Sequence, residues 1–594
     1  MARFSDRQGI RRAATLCAAL GFAASVGACS ATLNARDAAD WNARMPDVPL
    51  PGNGCFVASY PSLAWRAAAC VTAPAIPYPP NHQRRDPFTV GGGGNGDFAA
   101  HVTGSISSAT GSFASVSGVT GETGDGGAAN NYSLQLNTKP FDSSLCTGHT
   151  SCKAWQQFVY SNSGLTYMQY WLERYNATCP SGGWMQFQFP GDPDIYCYRN
   201  STAVSVTTQP IGNLGSLSVT GSAASGGSDS VVMATGSGSM SATGQDSVLN
   251  LASSWTNAEF MIGGDGNGSQ ANFNTGSTIA VRTIVHYGST AAPGCVMESY
   301  TGETNNLTLT GSGSLATLPA PGIQSTQSNA TTLTPASCAT AMGIGDPHLQ
   351  TFLGLLYDFQ ATGDFLLAQT DQFAVQSRQV SGGSRWPDVA VNAVVATQMG
   401  KSHVAICGGE SPVFVDGKQT PVADGQDLQL ADLDVIRSGN VYAMIDLYGN
   451  SLRAVVNDGW IDASVGLGEW PTKVIGLLGN GSEGLSTLVT RDGVLLKTPV
   501  RFQDLYGAYT DGWRVGSDSM LDACGAESEH GVPSKPFLAT DLDGATREQA
   551  QGVCTQAGVK DPGLLAACTL DVAVLGADAA KAYEGARAPA ALGQ

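Results

Sequence analysis

Gly345-Asp346-Pro347-His348 continues through Leu349-Gln350-Thr351-Phe352 into Tyr357-Asp358-Phe359-Gln360, directly after a stretch rich in Ser, Thr, Ala and Pro at residues 316–342. That shift in composition marks a domain start. Beyond it, turn signals at Ser438-Gly439-Asn440, Tyr448-Gly449-Asn450 and Asn457-Asp458-Gly459 recur about every ten residues. The segments between them, Val441-Tyr442-Ala443-Met444-Ile445 and Leu452-Arg453-Ala454-Val455-Val456, predict a meander packed against a second sheet. The Asp346-Pro347 bond also carries chemistry, because an Asp carboxyl can attack its own peptide carbonyl while the proline nitrogen leaves as an amine. Asp-Pro recurs at Asp86-Pro87, Asp192-Pro193 and Asp561-Pro562, where turns and helix starts account for it; at Asp346 it is framed by Gly and His.

Upstream, from about Asp97 to Thr310, short strands alternate with Gly/Ser/Asn turns and helical periodicity is nearly absent. Tyr167-Met168-Gln169-Tyr170-Trp171-Leu172-Glu173-Arg174-Tyr175 carries bulky groups on both faces, and Thr278 to Val285 is a clear strand. Ile106, Phe113, Val116 and Val119 punctuate the Gly/Ser-rich run from Thr103 to Gly124 well enough for outer strands. Asp265-Gly266-Asn267-Gly268 reads as a tight hairpin turn. Past Val515 the pattern becomes Ala-rich with helical spacing at Thr546 to Ala557, Gly563 to Val574 and Ala577 to Ala588, with Asp561-Pro562 as cap and first residue of the middle helix. This tail reads as an appendage covering a sandwich edge, without chemistry of its own. The expected fold is all-β: two β-sandwich domains in tandem, residues 96–315 and 343–520, joined by a linker at 316–342, with a short α-helical C-terminal appendage at 521–594.

The 594-residue chain has a formal net charge of −18 and only 13% charged residues, which argues against a nucleic-acid partner. Arg3, Arg7, Arg11 and Arg12 precede an apolar run from Ala13 to Val26 that is too short for a membrane span and reads as an export signal over residues 1–28. Two cleavages fit Val26-Gly27-Ala28-Cys29: removal after Ala28, or a bacterial lipobox in which Cys29 becomes the lipid-carrying first residue and anchors the chain to a membrane. Residues 29–95 then read as a tether with a small clip between Cys55 and Cys70, followed by a proline-rich stretch ending in Gly91-Gly92-Gly93-Gly94. Of 14 cysteines, Cys17 lies in the signal and Cys29 at its end, leaving an even set that favours disulfides in an exported protein over metal binding. Local pairs are expected: Cys55 with Cys70, Cys146 with Cys152, Cys179 with Cys197, and Cys554 with Cys568. Cys295, Cys338, Cys407 and Cys524 share two further bonds in an open pairing.

The Gly345 landmark, together with Phe365-Leu366-Leu367, Phe373-Ala374-Val375-Gln376, Trp470-Pro471, Gly476-Leu477-Leu478-Gly479-Asn480 and Trp513-Arg514-Val515, resembles a von Willebrand factor type D domain over residues 343–520. The resemblance implies an assembly or interaction module and self-cleavage at Asp346-Pro347, with His348 helping to protonate the leaving nitrogen. It also implies a calcium loop, for which Asn480 and Glu483 are the oxygen donors here. Leu478 stands where animal members have a cysteine. A second resemblance, to the concanavalin-like sandwich of glutamic peptidases, rests on Trp155-Gln156-Gln157-Phe158-Val159, the Tyr167 to Tyr175 strand, Thr256-Asn257-Ala258-Glu259-Phe260 and Ala271-Asn272-Phe273. It implies that Gln157 and Glu259 together activate a water molecule.

The seven histidines form no His-Glu-x-x-His signature, and neither a nucleophile elbow nor a phosphate-binding glycine loop occurs. The favoured expectation is a non-enzymatic, anchored surface protein that uses its sandwiches for adhesion, assembly or capture of an extracellular protein or glycan. The alternative is an acid peptidase, or a carbohydrate-binding module, in the first sandwich.

Overall fold

The computed structural model describes residues 37–82, 88–92, 96–316, 320–329, 333–409, 412–479, 487–516, 519–526 and 530–593. The described residues are predominantly β, in four sheets, with a small helical part near the C-terminal end. In the first sandwich one sheet orders the strands Tyr196–Asn200, Leu165–Glu173, Lys153–Ser161, Tyr132–Thr138, Asn257–Gly264, Ala99–His101 and Gly294–Val296 as antiparallel neighbours. The facing sheet is centred on Ser108–Ser117 and Thr278–His286. Strand residues alternate between faces, so Leu134, Leu136, Phe158, Tyr160, Met168, Tyr170, Phe260 and Ile262 fill the space between the sheets against Phe113, Val219, Val231 and Ile279. Each such ring or branched chain contributes roughly 1.5–3 kcal/mol on burial. The Gly/Ser-rich strands belong here for a steric reason: a Cβ at Gly111 would stand 1.9 Å from the Phe260 ring.

Two parts read as linker are integrated into this sandwich. Cys55–Ser59 pairs with Gly238–Gln245 and with Arg66–Ala68, so the expected clip extends a sheet edge. Gly322–Ser328, inside the expected linker 316–342, lies between Thr278–His286 and Thr304–Ala316. Its Ser/Gln-rich composition hides an alternation in which Ile323, Ser325 and Gln327 are buried.

The second sandwich combines a nine-stranded and a six-stranded sheet over its own core, which includes Phe365, Val375, Val395, Met444, Val465 and Trp513. Gly294–Val296 of the first sandwich pairs with Glu469–Trp470 of the second. Among the described residues six disulfides join Cys55–Cys70, Cys146–Cys152, Cys179–Cys197, Cys295–Cys338, Cys407–Cys524 and Cys554–Cys568, a number consistent with an exported protein. No helix among the described residues is long and apolar enough to cross a membrane.

In the tail, helix Gly544–Gln556 starts at Asp543, which accepts the Thr546 amide at 3.0 Å. Helix Pro562–Leu575 starts at Asp561, which accepts the amides of Gly563 and Leu564 at 2.9 and 3.1 Å. The third helical run shortens to a 3-10 segment, Ala577–Tyr583, entered through Gly576 at φ 101°. The tail does more than cover an edge: Ala567, Leu564 and Ala580 pack with Ile344, Leu356, Val391 and Trp460, and Ala591–Leu592 pairs with Leu355–Asp358.

Candidate active site

The face of the first sheet that looks away from the sandwich core is lined by amides and carboxyls. Register sets Gln169 opposite Gln157, Gln157 opposite Asn137, and Asn137 opposite Glu259. Gln157 and Glu259 therefore share one face two strands apart, a backbone distance of roughly 10 Å. They do not hydrogen-bond each other. The Gln157 amide donates to Gln135 Oε1 at 3.2 Å, and Gln135 Nε2 donates to Glu303 Oε2 at 3.3 Å. Glu259 Oε2 accepts from Asn137 Nδ2 at 3.1 Å and from the Tyr300 amide at 3.0 Å. Gln157 Oε1, Asn137 Oδ1 and Glu259 Oε1 are buried without a protein partner, which is costly unless water or a ligand completes them.

Burial dominates the electrostatics of this face. It pushes the Glu259 and Glu303 carboxyls each up to about 7, against the hydrogen bonds that favour their charged forms. Asp97 is raised by burial and then by repulsion from Glu259. Around this floor Trp155 and Trp171 pack with Tyr196, Tyr198 and Tyr300.

An extended segment of the chain, residues 73–82, lies across this face. Gln169 accepts the Tyr78 amide at 2.7 Å and donates to the Ile76 carbonyl at 2.9 Å. At the other end the Asn81 amide donates to the Tyr300 carbonyl at 2.9 Å. The segment thus reaches from the neighbour of Gln157 to the residue whose amide holds Glu259. Tyr78 is fully buried; its hydroxyl donates to Asp265 Oδ1 at 2.5 Å, and Ser161 donates to the other Asp265 oxygen at 3.0 Å. Both oxygens of that expected hairpin turn are therefore taken by hydroxyls.

A second polar cluster surrounds the Gly345 landmark. His348 is buried with Nδ1 2.6 Å from Asp358, Nε2 2.6 Å from Asp346 and 3.7 Å from Asp571. Burial opposes the imidazolium, but Asp346, Asp571 and Asp358 outweigh it and raise His348 well above its ordinary value. Asp571 Oδ1 accepts the Asp346 amide at 2.6 Å, and the Tyr583 hydroxyl donates to Oδ2. Gln360 Nε2 donates to the Asp346 carbonyl, the one preceding Pro347, at 3.1 Å. Gly345 has φ 59°, and a Cβ there would fall 1.8 Å from Asp571, so both conformation and space require glycine. Among the described residues Asp346, His348 and Asp571 converge enough to suggest a metal centre. Yet His348 Nε2 and Asp346 stand only 2.6 Å apart, closer than two ligands at about 2 Å from one zinc in tetrahedral geometry, and neither that nitrogen nor either Asp346 carboxylate oxygen meets hydrogen-bond geometry with a protein group.

Asn480 and Glu483, the expected calcium donors, and Cys29, the expected lipid carrier, lie outside the described residues. Asn137, Gln135, Gln169, Glu303 and Asp97 were not singled out from sequence, although the alternation Leu134-Gln135-Leu136-Asn137 signals a polar face on that strand. Asp571 and Gln360 had no local signal; both act 14 or more residues from Asp346.

Neither a family model nor a curated protein matches the chain. Among solved structures that match is scytalido-glutamic peptidase with a transition state analog inhibitor, at 11% identity, covering 40% of this chain and 98% of that one with a TM-score of 0.17. A score that low carries no weight in assigning activity.

Proposed function

We propose that this is an exported, disulfide-stapled protein whose first sandwich is a peptide-directed acid hydrolase working through Gln157 and Glu259. The observation that carries the reading is an extended main chain lying along the face that bears this amide and carboxyl, bonded beside both. A water between them would lose its proton to Glu259 as it attacks a peptide carbonyl, while the Gln157 amide holds the developing oxyanion; the protonated Glu259 then donates to the leaving nitrogen. Burial keeps Glu259 in its acid form at low pH. Solvent entering an opened cleft lowers its pKa toward the ordinary carboxylate range, where it can act as base. The test is casein hydrolysis from pH 3 to 6 by the full chain, by Tyr78→Ala, which loosens the covering segment, and by each with Glu259→Gln. The expectation is a loss of about a hundredfold or more on Glu259→Gln. No hydrolysis by either parent, or equal hydrolysis by the Gln variants, overturns it.

A second reading concerns the second sandwich, favoured by the Gln360 donor on the Asp346 carbonyl. In keeping with its resemblance to type D domains, it would serve adhesion or assembly and self-cleave at Asp346-Pro347. The Asp346 side-chain oxygen attacks its own carbonyl carbon, the bond to Pro347 nitrogen breaks with a proton from His348, and water opens the resulting cyclic anhydride. None of the six disulfides spans residue 346. Denaturing gels after incubation near pH 5 should therefore resolve two fragments from the parent and none from Gln360→Leu; a parent that stays intact rejects the reading. With Cys29 lipidated, both sandwiches would stand at the envelope surface.

A further inference from the structure

We infer that the trough over Leu165–Glu173 and Tyr196–Asn200 is a subsite for extended, proline-rich peptide centred on a tyrosine, and that residues 73–82 are its resident occupant, so the chain carries its own competitor. The inference rests on the peptide-directed reading of the first sandwich and names its ligand class and its regulation.

The segment reads Ala73-Pro74-Ala75-Ile76-Pro77-Tyr78-Pro79-Pro80-Asn81-His82. Proline has no amide hydrogen and favours an extended conformation, so such a peptide presents carbonyls in excess over donors. The trough answers with donors. Asn200 Nδ2 reaches the Pro74 carbonyl at 2.7 Å, the Tyr198 hydroxyl the Ala75 carbonyl at 3.2 Å, and Gln169 Nε2 the Ile76 carbonyl at 2.9 Å. The amides of Asn267 and Gly302 reach the Pro77 and Pro79 carbonyls, each at 2.7 Å. Five carbonyls of a proline-rich main chain are thereby satisfied by groups of the sandwich, with Gln169 also reading the Tyr78 amide.

Side-chain selection falls on one position. Tyr78 is fully buried, edge-on to Tyr167 with ring centroids 6.5 Å apart, beside Val159 and Ala203. Its hydroxyl meets Asp265. A pocket ending in a carboxylate discriminates strongly for a phenol, because phenylalanine would leave Asp265 buried with one oxygen unfilled. Because the occupant is covalently attached, its effective concentration is high and an external peptide meets a trough already filled.

The test uses the full chain carrying Glu259→Gln and a fluorescent peptide, Ala-Ile-Pro-Tyr-Pro-Pro, blocked at its C-terminus, read by anisotropy. Replacing Tyr78 by Ala should raise affinity for the peptide at least about tenfold over the parent, by freeing the trough. The same peptide with Phe for Tyr should bind that variant about tenfold more weakly, and adding Asp265→Ala, which leaves the hydroxyl no acceptor, should erase the difference. If Tyr78→Ala does not fold, Tyr78→Phe takes its place, since it keeps the ring and drops only the bond to Asp265. A folded variant with no gain in affinity, or one that binds Tyr and Phe peptides equally, overturns the inference. Binding without casein hydrolysis in the Glu259 parent leaves the subsite standing and removes the hydrolase. Hydrolysis without any gain in peptide affinity does the reverse.

Discussion

Replacing Glu303 by Gln isolates how the buried polar face couples stability to acidity. Glu303 is fully buried, with Gly268 donating its amide at 3.0 Å, Gln135 its side-chain amide at 3.3 Å, and Thr301 its hydroxyl. Burial lifts its pKa from 4.5 to about 7. The folded chain thus holds a proton that the unfolded chain releases between those values. The stabilisation is fully present below pH 4.5 and is lost as pH rises through 7. At about 1.36 kcal/mol per pKa unit, this one group accounts for about 3 kcal/mol of stability lost between pH 4 and pH 8. Glu303→Gln does not titrate, so its stability relative to the parent should improve by about 3 kcal/mol between the two pH values, whatever the substitution does to the baseline. Urea unfolding of both proteins at pH 4 and pH 8, disulfides intact and followed by tryptophan fluorescence, measures that double difference. A double difference under about 1 kcal/mol would refute the argument that burial, rather than its hydrogen bonds, controls this carboxyl.

Other outcomes follow from the same geometry. Gly111→Ala places a methyl against the Phe260 ring and should lower stability by about 1–3 kcal/mol, seen as a lower thermal midpoint; an unchanged midpoint would mean the two sheets are not apposed as described. Arg378 forks onto Asp364 at 2.7 and 2.8 Å inside the second sandwich, so Arg378→Met strands a buried carboxylate and should cost about 3–5 kcal/mol in chemical unfolding, more than Asp364 and Arg378 replaced together. The raised His348 stabilises the fold fully below its ordinary value of 6.5 and less as pH climbs through the folded value. Imidazole proton resonances should accordingly show His348 still protonated at pH 7.5, and a ring titrating near 6.5 would contradict the cluster.

Much of the architecture was readable from local pattern. The alternation through Leu134-Gln135-Leu136-Asn137 and the bulk on both faces of Tyr167 to Tyr175 already require strands with two different surroundings, and Asp561-Pro562 starts a helix for capping reasons alone. Gln157 and Glu259 came forward through resemblance, and the structure adds that they share a face while bonding to different neighbours. Gly322–Ser328 was misread because Ser and Gln, polar in composition, fill buried positions of a strand whose backbone bonds are satisfied on both sides.

What the amino-acid order determines by itself is periodic: which segments are strands, where turns and caps fall, and that strands such as Leu134-Gln135-Leu136-Asn137 have one polar face. What only the tertiary structure decided is what lies over that face. A row of amides and carboxyls has the same sequence signature whether it meets water or a proline-rich strap. The strap reaches Gln169 across 91 residues, and Asp571 reaches Asp346 across 225. Contacts at such separations come from how whole sheets and helices pack, and leave no periodic trace in either segment alone.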